Sequence, residues 1–229
     1  MISIPAAVPI PDLAPGSERR VFVPFALAVP FLFLVPPLGL LLLGVGAFSA
    51  YFYRDPEREP AGEGVLAPAD GHVSVIREDG DRVRVGVFMS PFDVHVCRAP
   101  AGGAVARLDH RGAAHRPAFV KESERNERFE YTLREGGGDA DDGAGGGAEA
   151  EPDGDAGRVD GALIAGWFAR RITPYVSPGD AVTRGERIGY IAFGSRADVV
   201  LPVGYTAEDV RVSRGEAVRA GESVVARRG

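Results

Sequence analysis

Cysteine, lysine and histidine are scarce in this chain of 229 residues, and each scarcity excludes a chemistry. Cys97 is the sole cysteine, so no intramolecular disulfide can form and a structural zinc site built on thiolates is excluded. Its setting, Val-His-Val-Cys-Arg-Ala-Pro, reads as a strand carrying a buried, inert thiol. The four histidines, His72, His95, His110 and His115, are too scattered to form a ligand pair at helical spacing, so no metal site is expected. Lys121 is the sole lysine, and a net charge of −6 gives a nucleic-acid partner no electrostatic support. Acid excess with scarce lysine is the habit of proteins from salty cytoplasm or GC-rich genomes.

Charge is absent altogether between Arg20 and Arg54. The intervening stretch, Val21 to Tyr53, meets the length criterion for membrane insertion. It lacks the small-residue cleavage site of a signal peptide. Pro36 and Pro37 divide it into two apolar pieces of about 15 residues, each rising about 22 Å as a helix against a hydrocarbon core of roughly 30 Å. A kinked span and a shallow hairpin are both compatible with that. Arginines at both ends (Arg19, Arg20, Arg54, Arg58) favour a cytoplasmic placement. The expected organisation is a tail (1–20), a hydrophobic helical membrane segment (21–53) and a β-rich domain (54–229), located at the cell membrane with the β-rich domain on its cytoplasmic side.

From Val65 onward short apolar runs alternate with glycine and proline: VLAPADGHVSVI, RVRVGVFM, DVHVCRAP, AVARLDH, RFEYTL, ALIAGWFA, RIGYIAF and DVVLP. They read as strands of a mainly β, barrel-sandwich-like domain. Residues 136–157 are acidic and glycine-rich with no large apolar residue, which predicts a disordered loop. One repeat stands out: Val176–Ile188 reads VSPGDAVTRGERI and Val212–Val224 reads VSRGEAVRAGESV. Its glycines and valines are turn formers and core residues, and they resemble the turns of biotinyl/lipoyl-like modules.

Three segments carry reactive groups that a β core does not require. In Ala-Pro-Ala-Asp-Gly-His, Asp70 falls in a turn. In Met-Ser-Pro-Phe-Asp-Val-His-Val-Cys-Arg-Ala-Pro, Asp93 and His95 alternate on one face of an expected strand, where a carboxylate can tune an imidazole. In Ile-Ala-Phe-Gly-Ser-Arg-Ala-Asp, Gly194 and Ser195 follow an apolar strand.

In this order, together with FYRDPEREP (Phe52–Pro60), DHRG (Asp109–Gly112) and KESERNER (Lys121–Arg128), the segments resemble the phosphatidylserine decarboxylase family in its short archaeal and bacterial form. The resemblance implies a proenzyme cut between Gly194 and Ser195. The serine hydroxyl attacks the preceding carbonyl, where glycine permits the strained approach, and elimination leaves an N-terminal pyruvoyl group. That group is the self-generated, covalent cofactor; it condenses with the serine headgroup amine and serves as electron sink as CO2 leaves. No pyridoxal phosphate is required, Lys121 being its only possible anchor and part of a family motif. By the same resemblance Asp70 supports the base for self-cleavage, and His95 carries a proton in processing or turnover. His110, Arg196, Lys121 and Asn126 are candidates for substrate contact or support. Where larger family members have a second histidine, this chain has Arg98, so either His95 serves both steps or His110 contributes. The implied partners are a phospholipid substrate (phosphatidylserine or archaetidylserine), the membrane, and the two fragments of the chain as a heterodimer.

The rival reading is a membrane-anchored biotinyl/lipoyl-like carrier or adaptor. A carrier needs a lysine at its hairpin tip, and neither copy of the repeat has one. A serine hydrolase needs a G-x-S-x-G elbow leading into a helix, whereas FGSRADVV continues as strand.

Overall fold

Proline decides the fate of the apolar N-terminal stretch. The structure, a computed structural model, describes residues 12–111, 127–135, 157–166, 172–192 and 195–229, and separates into two units, Met1–Glu57 and Arg58–Gly229. In the first, strand β1 (Asp12–Leu13) leads into helix α1 (Glu18–Leu34), then α2 (Pro36–Phe52) and β2 (Arg54–Asp55). Val35 leaves helical geometry between the helices, and Pro36 opens α2, where its missing N–H has no intrahelical partner to lose. The helices fold back antiparallel. A Cβ on Gly39 would stand 2.5 Å from the Leu32 nitrogen, and one on Gly46 would stand 3.0 Å from the Phe25 ring. β1 and β2 pair antiparallel at the base.

This corrects the expectation of an N-terminal hydrophobic helical membrane segment. Each helix has 17 residues, about 25 Å of rise against the roughly 30 Å of a hydrocarbon core. No helix among the described residues is long and apolar enough to cross a membrane.

The second unit is built from short strands: β3 (Val65–Leu66), β4 (Gly71–Asp79), β5 (Arg82–Met89), β6 (Val96–Arg98), β7 (Gly103–Arg111), β8 (Arg128–Arg134), β9 (Arg158–Ala165), β10 (Ile172–Pro174), β11 (Ala181–Val182), β12 (Arg187–Ile191), β13 (Ser195–Val200), β14 (Ala217–Val218) and β15 (Val224–Ala226). Eight of them form one antiparallel sheet in the order β11-β7-β8-β9-β13-β5-β4-β14, curled as a half-barrel. The fold is thus mainly β, with an open curled sheet rather than a closed barrel. A three-stranded sheet, β10-β12-β6, and the pair β15-β3 complete it. Alternation sets the faces of the large sheet. Val83, Val85, Val87 and Met89 of β5, Leu163 and Ala165 of β9, and Ala197 and Val199 of β13 enter the core.

The sequence repeat is a structural repeat. Gly185 donates its N–H to the Ala99 carbonyl and Gly221 to that of Ala67; Val105 donates to Asp180 as Val73 does to Glu216; Gly179 donates to Val105 as Gly215 does to Val73. The two copies dock at opposite edges of the large sheet, β11 on β7 and β14 on β4. They also bring two further segments into correspondence: Ala67-Pro-Ala-Asp-Gly71 lies in one half as Ala99-Pro-Ala-Gly-Gly103 lies in the other. Gly71 (φ +138°) and Gly103 (φ +145°) share one backbone conformation, and a Cβ there would fall 2.1 Å from the Phe88 carbonyl oxygen or 2.3 Å from that of Arg134.

Candidate active site

Ser195 opens β13, a strand held on both sides. Its register partners are Met89 on β5 and Ala165 on β9. The side chain is fully buried on the core face, and its hydroxyl donates to the Met89 sulfur at 3.7 Å, a weak acceptor in apolar surroundings. Gly194, on the other side of the expected scissile bond, lies outside the described residues, as do Lys121 and Asn126. So does the acidic segment, except for Gly157.

Asp70 lies two strands from Ser195. Gly71, which follows it, packs on the Phe88 carbonyl and the Met89 Cα, so Gly71 and Ser195 flank Met89 at about two strand spacings, roughly 10 Å. The Asp70 carboxylate is held from both sides. Oδ2 is 2.8 Å from Nη2 of Arg58, and Oδ1 accepts the Ala220 N–H at 2.8 Å. Burial pushes the Asp70 pKa up, opposed by the Arg58 charge and the Ala220 hydrogen bond, and the charge of Asp93 pushes it further up.

His95 is buried and fixed by its own chain. Its Nδ1 lies 2.9 Å from the Asp93 carbonyl oxygen, and its carbonyl accepts the N–H of Ile191, at the end of β12, at 3.2 Å. A carbonyl can only accept, so Nδ1 carries the proton and Nε2 is the basic nitrogen. The expected same-face strand pairing of Asp93 with His95 is corrected here: residues 90–95 form a turn between β5 and β6. The Asp93 carboxylate closes that turn by accepting the Ser90 N–H at 2.7 Å. Polar side chains that alternate in sequence belong here to a loop, because Pro91 cannot donate to a ladder.

The other candidates sit elsewhere. His110, on β7, is half-exposed, with Nε2 2.9 Å from Glu127 and its ring edge-on to Phe129. Three strand spacings, about 14 Å, separate β7 from β13. Arg196 points to the sheet face opposite Ser195 and donates to Asp198 through Nε at 2.8 Å and Nη2 at 3.1 Å. The buried Asp198 also meets Arg84 at 3.2 Å, its carboxylate filling the space left by Gly86. That face holds a cavity of about 490 Å³ lined by paired charges, including Arg82 with Asp160 at 2.5 Å. No described candidate residue lines it. Arg98 is buried and donates through Nη1 to the Gly185 carbonyl at 3.1 Å within its own structural copy, while its backbone N–H donates to the Pro68 carbonyl of the other at 2.9 Å.

Sequence reasoning missed Arg58 and Glu222, which lie 3.4 Å apart. Arg58 belongs to FYRDPEREP, a motif read for its resemblance and not for any contact. The halves also give a sign that was available: Asp70 stands where the sister turn has Gly102, so the turn itself needs no carboxylate.

Over residues 45–140 and 148–226 the sequence matches the family profile described as Phosphatidylserine decarboxylase. A Halobacterium salinarum protein, provisionally named an archaetidylserine decarboxylase proenzyme, is 45% identical over 219 residues, 93% of this chain and 97% of that one. A Methanopyrus kandleri protein with the same provisional name is 38% identical over 230 residues, covering 94% and 98%. The phosphatidylserine decarboxylase proenzyme of Thermobifida fusca is 42% identical over 187 residues, covering 81% and 76%.

Proposed function

The chain belongs to the phosphatidylserine decarboxylase family and is a carboxy-lyase, and from that premise we propose that it cuts itself between Gly194 and Ser195 and then decarboxylates a serine phospholipid. The observation that carries this reading is the setting of Ser195, a buried hydroxyl at the first residue of a central strand. A serine there has no role in packing that alanine would not serve as well, since its buried hydroxyl finds only a weak sulfur acceptor among the described residues.

In the cut, the Ser195 Oγ attacks the Gly194 carbonyl carbon, and the C–N bond between the residues breaks to leave an ester. Loss of the Ser195 Cα proton then breaks the Cβ–Oγ bond, releasing Gly194 as a carboxylate. Water replaces the nitrogen at residue 195, which leaves as ammonia. A pyruvoyl group at that position supplies the sink for the electron pair left behind by CO2. The surroundings suit it: a ketone carries no charge, and Met89 and Ala165 present none. His95, oriented by the Asp93 carbonyl, delivers the proton to the substrate carbon, and Asp70 supports the base that activates Ser195. Archaeal relatives that cover nearly the whole chain favour archaetidylserine as substrate. The enzyme then works at the surface of the cell membrane, on its cytoplasmic side.

Cutting does not free the tail. Residues 195–229 supply a central strand, β13, together with β14 and β15 in pairings at β4 and β3. Purified protein should run as fragments 1–194 and 195–229 on denaturing electrophoresis yet elute as one species from a native sizing column, with CO2 released from serine phospholipid vesicles. An intact chain in the denaturing gel would refute the reading.

The structural repeat supplies a matched control. Gly71→Ala and Gly103→Ala each force an L residue into positive φ against a carbonyl, and each should cost roughly 2–3 kcal/mol. Only Gly71→Ala disturbs the shelf between Asp70 and Ser195, so it alone should slow cleavage, as a time course of fragment formation would reveal.

A further inference from the structure

We propose that Arg58 is the positioning residue of the self-cleavage centre, fixing the Asp70 carboxylate beside the Gly71–Met89–Ser195 shelf. The inference rests on the reading that Gly194–Ser195 is the bond cut and that Asp70 serves that step.

The internal repeat supplies the first argument. Asp70 and Gly102 are equivalent positions in equivalent turns, and both face the N–H of the docked repeat. Ala220 donates to Asp70, whereas a Cβ on Gly102 would lie 3.4 Å from the Arg184 nitrogen. Two strands in from Gly103 lies β9, which carries no serine, and that half does without the carboxylate. The half that leads to Ser195 has it, and has a buried arginine to hold it.

The geometry of Arg58 supplies the second. Its side chain is only 7% exposed, and it spans the future cut: Nη2 reaches Asp70 on the 1–194 part at 2.8 Å, and Nη1 reaches Glu222 on the 195–229 part at 3.4 Å. Its Nε is buried with no hydrogen-bond partner among the described residues. A guanidinium kept out of water with one donor unmet is costly to fold around, so its retention is not explained by packing alone. One carboxylate oxygen is held by Arg58 and the other by Ala220, which leaves the Asp70 side chain a single orientation.

Electrostatics agree. The charged or titratable groups packed around Asp70 are Arg58 from the segment before β3, Glu222 with Arg219 at 3.6 Å behind it, Asp93 from the 90–95 turn, and Cys97 and Arg98 on β6. Burial and Asp93 both favour the protonated acid, and Arg58 is the chief opposing charge. Removing that charge leaves Asp70 protonated to higher pH, so any step needing its carboxylate gains rate only at higher pH.

The test is the pH profile of self-cleavage in full-length chain made by cell-free translation and followed by intact mass, for wild type, Arg58→Gln and Arg58→Lys. Arg58→Gln should slow cleavage about a hundredfold at neutral pH, the lower end of what one placed acid–base group contributes, and should move the rising limb of the profile to higher pH. Arg58→Lys, which keeps the charge, should restore most of the rate and return the limb. Arg58→Gln cleaving at the wild-type rate overturns the proposal. So do two variants equally slow with an unmoved limb, the outcome of a merely structural arginine. If Arg58→Gln fails to fold, the Arg58→Lys limb decides alone: it must lie at or near that of wild type. A wild-type chain that stays whole would instead remove the premise, and the proposal with it.

Discussion

Ser195→Ala leaves the chain uncut and abolishes decarboxylation, the largest effect any single substitution here should produce. The variant loses the nucleophile and the precursor of the electron sink together, so no slower route remains. Folding is not the cause of this loss. Among the described residues the Ser195 hydroxyl meets the Met89 sulfur, at 3.7 Å, a weak acceptor, and alanine fills the same buried position without a hydroxyl to satisfy. Intact mass should therefore show one chain of wild-type composition less one oxygen, with thermal stability at least equal to that of the uncut wild type. Ser195→Cys keeps a nucleophile and should cut slowly. A Ser195→Ala protein that still yields the 195–229 fragment would show that another bond, or another nucleophile, is responsible.

His95→Ala is expected to leave a protein that still cuts itself, more slowly, and turns over roughly 10²- to 10⁴-fold less substrate once cut. The imidazole is 1% exposed and its tautomer is set by a backbone carbonyl, an arrangement that suits proton delivery at one fixed nitrogen. The carbonyl is itself held, because the Asp93 side chain closes the turn onto the Ser90 N–H and the Asp93 N–H donates to the Ser90 carbonyl at 3.1 Å. Asp93→Asn should therefore be milder than His95→Ala, since an amide oxygen can close the same turn. Turnover by cut His95→Ala within tenfold of wild type would remove His95 from the reaction.

Much of the β framework is legible in the chain, because β5, β9 and β13 are short apolar runs of six to eight residues, buried over most of their length. The turn at 90–95 was not. Phe-Asp-Val-His alternates as a strand does, and what distinguishes the turn is Pro91 before it together with the closing contact from Ser90 to Asp93. The division of the apolar N-terminal stretch into two pieces is legible at Pro36 and Pro37; its total length suggests a span, and the break overrides it. Two 17-residue helices packed through Gly39 and Gly46 are a hairpin, and neither is a span. Ser195, Asp70 and His95 stand out as candidates through their motifs. Arg58 could not be assigned a task that way, since its partners stand at positions 70 and 222 and meet it only in the folded chain. The Asp70-for-Gly102 exchange, by contrast, was visible in the letters and went unread because the glycine copy carries no chemistry.

The eight-stranded sheet ends at both edges in a strand of two residues, Ala181–Val182 on one side and Ala217–Val218 on the other. Each covers only the start of a nine-residue strand, through Val105 on β7 and Val73 on β4, and the later residues of both strands lie outside those pairings. The proposed cut before Ser195 would add two chain ends inside the sheet without adding a strand edge on which copies could stack, because β13 keeps β5 on one side and β9 on the other.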